Sequence, residues 1–197
     1  DLLGDDIELI KKAYIQQDKI HNHFDFEGKG MLNILKKDSN FLLEYINSLY
    51  DVKQFGISSD HKRLEFVWQV EEIENVLVKT FNLIIKKEPY FGIGEHFCNA
   101  FFRNLQVEQK ERAIQFLYNY LKTNYTSSEK INIVVDIVRH SMRESFNDIL
   151  LLFLTLTQDK DVFAKIWWRG NGGSVHSGDV NFGDLEAADW RNILSII

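Results

Sequence analysis

Apolar residues recur along most of this chain at steps of three and four, which is the signature of helices with one buried face. Leu3, Ile7, Ile10 and Tyr14 draw the first such stripe, and the stretch from Phe24 to Gly30 breaks it. A short helix is expected around Met31 to Lys37. It leads to Asp38-Ser39-Asn40, a run of side chains suited to capping a helix start, after which Phe41, Leu42, Tyr45, Ile46 and Leu49 mark one face again. Gly56 to Asp60 is the next interruption. From about Leu64 the pattern predicts helix once more, with Ile73, Val76, Leu77, Phe81 and Ile84 opposed by Glu71, Glu72, Glu74, Asn75, Lys79, Asn82 and Lys86.

Pro89 ends that helix, because it lacks the amide the next turn needs. The following helix carries Phe97, Ala100, Phe101 and Phe102, and the one after it is defined by Ala113, Ile114, Leu117, Tyr118 and Leu121. Thr126-Ser127-Ser128-Glu129 and Ser141-Met142-Arg143-Glu144 both match the S/T-x-x-E capping pattern. Between them Ile131, Ile133, Val134, Val135, Ile137 and Val138 are apolar on more than one face. That run also fits a β-strand, but the flanking caps favour helix. The next helix is apolar all round from Ile149 to Leu154, as expected of an element covered on both sides.

After Lys165 the helical period stops. Ile166 to Arg169 and Val175 to Phe182 read as two short strands joined by Gly170-Asn171-Gly172-Gly173, whose glycines and asparagine supply the positive φ of a hairpin turn. A final helix from about Asp184 carries Leu185, Ala188, Trp190, Ile193 and Ile196. The chain as a whole therefore reads as all-α: an irregular α-solenoid of HEAT- or TPR-like helical hairpins over 1–165, with a small C-terminal β-hairpin and final helix over 166–197 packed on the same domain. The tetratricopeptide, ankyrin and armadillo signatures are absent, and a compact helical bundle is the alternative.

Composition narrows the possible functions. One proline in 197 residues fits uninterrupted helix, and a single cysteine, Cys98, allows no internal disulfide, from which a reducing, cytoplasmic setting is expected. A net charge of −6 repels phosphate backbones, so nucleic acid is not an expected partner. The pairs Lys11-Lys12, Lys36-Lys37 and Lys86-Lys87 fall near helix ends or on polar faces, where a cation complements the helix dipole. The longest apolar run, from Ile149 to Leu156, is far short of the ~20 residues that cross a bilayer, and no signal segment opens the chain. A first residue of Asp1 and an apolar finish at Ile196-Ile197 suggest a piece of a longer polypeptide.

Candidate chemistry is sparse. Gly170 to Ser174 lacks the lysine of a phosphate loop, and no lysine follows Lys165. Ser174, His176, Ser177 and Asp179 have the residue types of a nucleophilic triad, but neighbours on one strand alternate sides and triad members come from separate elements. His21-x-His23-x-Asp25 has metal-ligand types, and its histidines equally suit a helix end. Cys98 reads as an inert core thiol beside His96, and Glu71, Glu72 and Glu74 as a solvated helix face. Tryptophan and arginine dominate interface hot spots, and adjacent tryptophans on a hairpin cannot both be covered by one layer. Trp167, Trp168 and Arg169, with Asn171 and His176, are therefore the expected partner-binding or end-capping surface. No catalytic residue, metal or cofactor is expected. The rival reading is a hydrolase with its site near the Gly-rich segment.

Asp38-Ser39-Asn40-Phe41-Leu42-Leu43-Glu44-Tyr45, Tyr90-Phe91-Gly92-Ile93-Gly94-Glu95-His96-Phe97 and Trp168-Arg169-Gly170-Asn171-Gly172-Gly173 resemble stretches in the C-terminal helical regions of large bacterial STAND-type NTPases. The resemblance spans most of the chain. It implies a helical-repeat sensor or scaffold surface downstream of an effector and an NTPase module, and it carries over no catalytic residue.

Overall fold

A computed structural model of the chain describes residues 6–19, 28–51, 64–87, 93–123 and 127–142. Among the described residues the secondary structure is helical, with no strand. The helices are α1 (Ile7–Lys19), α2 (Lys29–Lys37), α3 (Phe41–Asp51), α4 (Ile73–Lys87), α5 (Ile93–Phe101), α6 (Val107–Lys122) and α7 (Ser128–Ser141), with a 3₁₀ turn at Val67–Gln69. The chain divides into two compact units, Asp1–Ala113 and Ile114–Ile197. The expected boundary at 165/166, the hairpin and the final helix lie outside the described residues.

In the first unit the starts of the first three helices have local causes. Asp6 caps α1, its Oδ1 accepting the amides of Glu8 and Leu9 at 3.0 and 3.1 Å. Gly28 precedes α2 with φ of 72°, a left-handed conformation that a residue without Cβ adopts at no steric cost. Asp38 both closes α2, its amide reaching the Ile34 carbonyl at 2.8 Å, and opens the turn into α3, its Oδ1 accepting the Asn40 amide at 3.1 Å. The expected cap cluster is thus a single hinge between two helices.

The α3 and α4 stripes are buried as the spacing predicts: Phe41, Leu42, Tyr45, Ile46 and Leu49 on one, Ile73, Val76, Leu77, Phe81 and Ile84 on the other. At about 1.5–3 kcal/mol for each large apolar side chain taken from water, these two faces supply much of the unit's cohesion. Helix α3 packs on α1, α2 and α4, and α4 packs in turn on α5. Thr80, fully buried within the α4 stripe, satisfies its hydroxyl inside its own helix by donating to the Val76 carbonyl at 2.9 Å.

The chain does not re-enter α-helix at Leu64. Leu64, Val67, Trp68 and Val70 are buried, but they sit in 3₁₀ and turn conformations, and Glu72 takes a φ of 52° before α4 begins at Ile73. A left-handed non-glycine residue interrupts the right-handed ladder, so the helix cannot run back through it. The turn lets Trp68 enter the core, against the edge of Phe102 at a centroid separation of 5.5 Å.

Helix α6 also differs from its expected phase. Ala113, Leu117 and Leu121 are buried as predicted, but Phe116 and Tyr120 join them while Ile114 and Tyr118 are only half-buried. The rings of Phe116 and Tyr120 stack at 6.0 Å with an interplanar angle of 11°. An i, i+4 aromatic pair favours this rotation of the helix.

In the second unit, α7 is a helix and not a strand. Ile131, Ile133, Val134, Ile137 and Val138 are all buried, which covers more than one face. Its cap lies one residue later than the capping pattern places it. Ser127 Oγ accepts the Lys130 amide at 3.3 Å and donates to Glu129 Oε2 at 2.9 Å. The Glu129 carboxyl is held below its ordinary pKa, first by its own backbone amide and then by the Ser127 hydroxyl. The helix expected to start at Ser141 lies outside the described residues, Ser141 itself being the last residue of α7.

Candidate functional site

Of the residues with candidate chemistry, Trp167, Trp168, Arg169, Asn171, Ser174, His176, Ser177 and Asp179 lie outside the described residues, as do His21, His23 and Asp25. Cys98 is buried in α5, as are Phe97, Ala100 and Phe101, the setting of an inert core thiol. Glu71 and Glu72 are exposed, and Glu74 is engaged by an arginine that the sequence pattern did not single out.

That arginine, Arg112 of α6, organises a side-chain cluster in the first unit. Its Nε and Nη2 donate to Glu74 Oε1 at 2.9 and 2.7 Å, and its Nη1 donates to the Trp68 carbonyl at 3.3 Å. The guanidinium carbon lies 5.7 Å from the centroid of the Trp68 ring. Trp68 is 1% exposed, whereas the side chains of Arg112 and Glu74 are 41% and 34% exposed. A tryptophan buried beneath an arginine that is itself half in water is the Trp–Arg chemistry of a hot spot, here turned inward. It ties the turn before α4, α4 itself and the start of α6 together. Partners 38 and 44 residues apart leave no local signal in the sequence.

A second cluster centres on Lys11. The expectation of a solvated lysine pair on α1 fails for this residue, which is buried. Its Nζ donates to Asp38 Oδ2 at 2.6 Å and to Glu8 Oε1 at 2.7 Å, and lies 5.9 Å from the Phe41 ring centroid. Lys11 occupies a position four after Ile7 and three before Tyr14, on the apolar stripe itself. That placement is the signal that marks it, since a lysine stem can lie along apolar surface while its ammonium finds a carboxylate.

The hydrogen bonds of Asp38 and then Glu8 raise the Lys11 pKa above its ordinary value, and the bond from Lys11 lowers that of Asp38. The depressed carboxyl contributes stability above its unfolded pKa that is lost as pH falls through the folded value. The raised ammonium contributes stability below its unfolded pKa that is lost as pH rises through the folded one. The pair is therefore expected to stabilise the fold evenly from roughly pH 5 to 9 and to weaken at both extremes. Urea midpoints of wild type and Lys11→Met across that range and down to pH 2 check this. The gap between the two proteins closes in acid, and a gap that persists there contradicts the assignment.

The third cluster lies in the second unit. Lys130 Nζ stands 4.4 Å from the Tyr120 ring centroid, 2.6 Å from Thr123 Oγ1 and 3.3 Å from the Tyr120 carbonyl, at the last turn of α6. Burial pushes its pKa down, while the ring and the helix-end oxygens favour the cation. This is a helix-end closure joining α6 to α7.

All three clusters hold helices together through charge on aromatic surface. Among the described residues no group of three or more His, Cys, Asp or Glu side chains is placed to hold a metal ion, and no helix is long and apolar enough to cross a membrane. Comparison of this chain with protein-family models, with curated proteins and with solved structures gives no match.

Proposed function

We propose that the chain is a protein-interaction or sensing module without chemistry of its own, built as an irregular α-solenoid and carrying its partner surface on Trp167, Trp168, Arg169, Asn171 and His176. In this reading it works in the bacterial cytoplasm beside other domains of a larger STAND-type polypeptide, and the C-terminal hairpin presents the docking residues. One observation carries the reading. Within the first unit, packing joins helices that are adjacent in sequence, α2 on α3, α3 on α4 and α4 on α5, or next but one, α1 on α3, as in repeat arrays where each hairpin leans on the next. The buried thiol of Cys98 and the negative net charge agree with a reduced protein whose partner is another protein.

The test is a quantitative comparison of proteins retained by immobilised wild-type chain and by the Trp168→Ala, Arg169→Ala double variant. Loss of a hot-spot pair is expected to lower recovery of a specific partner by roughly 10-fold or more, with the helical circular dichroism unchanged. Equal recovery by both baits sinks the assignment of the surface. A hydrolase screen in which wild type is active and His176→Ala is not would replace the module with an enzyme.

A further inference from the structure

We propose that α1 is a latch: a helix that opens as a unit of its own, held over the aromatic face of α3 by the ion pair between Lys11 and Asp38 together with the buried ring of Tyr14. The inference is independent of the partner surface proposed above. Of the described α1 side chains only Lys11 and Tyr14 are buried. Ile7, Ile10, Ala13 and Ile15 are half-buried, and Leu9 is 46% exposed. On α3 five apolar side chains are buried, and on α4 another five together with Thr80. A 13-residue helix is marginal on its own in water, so α1 depends on the ties it makes to α3.

Two rings of α3 meet side chains of α1. Tyr14 meets Tyr45 edge to face at 6.5 Å and 87°, and the Lys11 ammonium lies over Phe41. Both Phe41 and Tyr45 are fully buried with α1 in place, and α1 is the element that sets Lys11 and Tyr14 against them. Opening of α1 therefore bares an aromatic face on α3.

Asp38 makes the latch separable from the fold beneath it. One carboxylate oxygen, Oδ1, serves the start of α3 by accepting the Asn40 amide, and the other, Oδ2, reaches out to hold Lys11. Loss of Lys11 takes away the hold on α1 and leaves the α3 turn intact. Lys11 supplies the charge from the α1 side, and Glu8, one turn back on α1, keeps the ammonium aimed at the hinge.

Hydrogen exchange on the full chain, followed by mass spectrometry of peptides from α1, α3 and α4, tests this. In wild type the α1 amides are expected to exchange about 10-fold or more faster than those of α4. Lys11→Met, which keeps the stem and removes the charge, is expected to speed α1 exchange by a further 10- to 100-fold, roughly, with α3 and α4 still the slower to exchange. Asp38→Asn keeps the Oδ1 acceptor and weakens the pair, so it moves α1 in the same direction by a smaller factor. Lys11→Arg restores protection. Exchange of α1 in step with α3 and α4, in wild type or in either weakened variant, overturns the proposal, as does Lys11→Met with α1 protection unaltered.

Discussion

Replacing Phe81 by alanine is expected to cost about 3–5 kcal/mol, enough to consume much of the stability of a typical domain. Phe81 is fully buried on α4, stacked on Phe101 of α5 at 6.1 Å with 19° between the planes and tilted against Phe102 at 6.3 Å. Truncation removes the ring's transfer energy and also leaves a cavity bounded by two further rings that cannot collapse into it. Phe81→Leu, which refills most of the volume, should recover more than half of the loss. Urea unfolding of the three proteins, followed at the helical circular dichroism band, measures both steps. Similar midpoints for Phe81→Ala and wild type would mean that the α4–α5 aromatic layer is not the centre of the unit.

Trp68→Ala is expected to cost a comparable amount, about 3–5 kcal/mol, and the informative control is Arg112→Ala. Arg112 makes three hydrogen bonds and a ring contact in this cluster, yet its side chain is 41% exposed and its partner Glu74 34%. Water competes for an ion pair so placed, which leaves a net contribution of about 1 kcal/mol or less. The buried ring, packed against Phe102, carries the energy, and the guanidinium orders the surface above it. Denaturation midpoints should therefore separate the two variants widely. A loss in Arg112→Ala as large as that in Trp68→Ala would assign the cluster's energy to its charges instead.

The contrast also explains what was legible from residue order alone. The α3 and α4 stripes were readable because their apolar positions fall on one face and charges fill the other. Helix α6 carries Ile114, Phe116, Leu117, Tyr118, Tyr120 and Leu121, apolar residues on two faces at once, so spacing leaves its phase open and the Phe116–Tyr120 stacking decides it. Leu64, Val67, Trp68 and Val70 mimic helical spacing across a stretch that is 3₁₀ and turn. The left-handed Glu72 that separates it from α4 has no marker, since glutamate is a good helix former. Lys11 and Arg112 were missed for a related reason: their carboxylate partners stand 27 and 38 residues away, and tertiary packing chooses them. The expected partner surface lies outside the described residues, so its legibility rests on the retention experiment.

Cys98 has a practical consequence. With its one sulfhydryl buried on α5, the folded chain offers maleimides and other thiol reagents nothing to react with on its exterior. A cysteine introduced at any solvent-facing site becomes a unique attachment point for a fluorophore or spin label. The unlabelled native thiol then doubles as an internal alarm, since its modification reports that α5 has come undone.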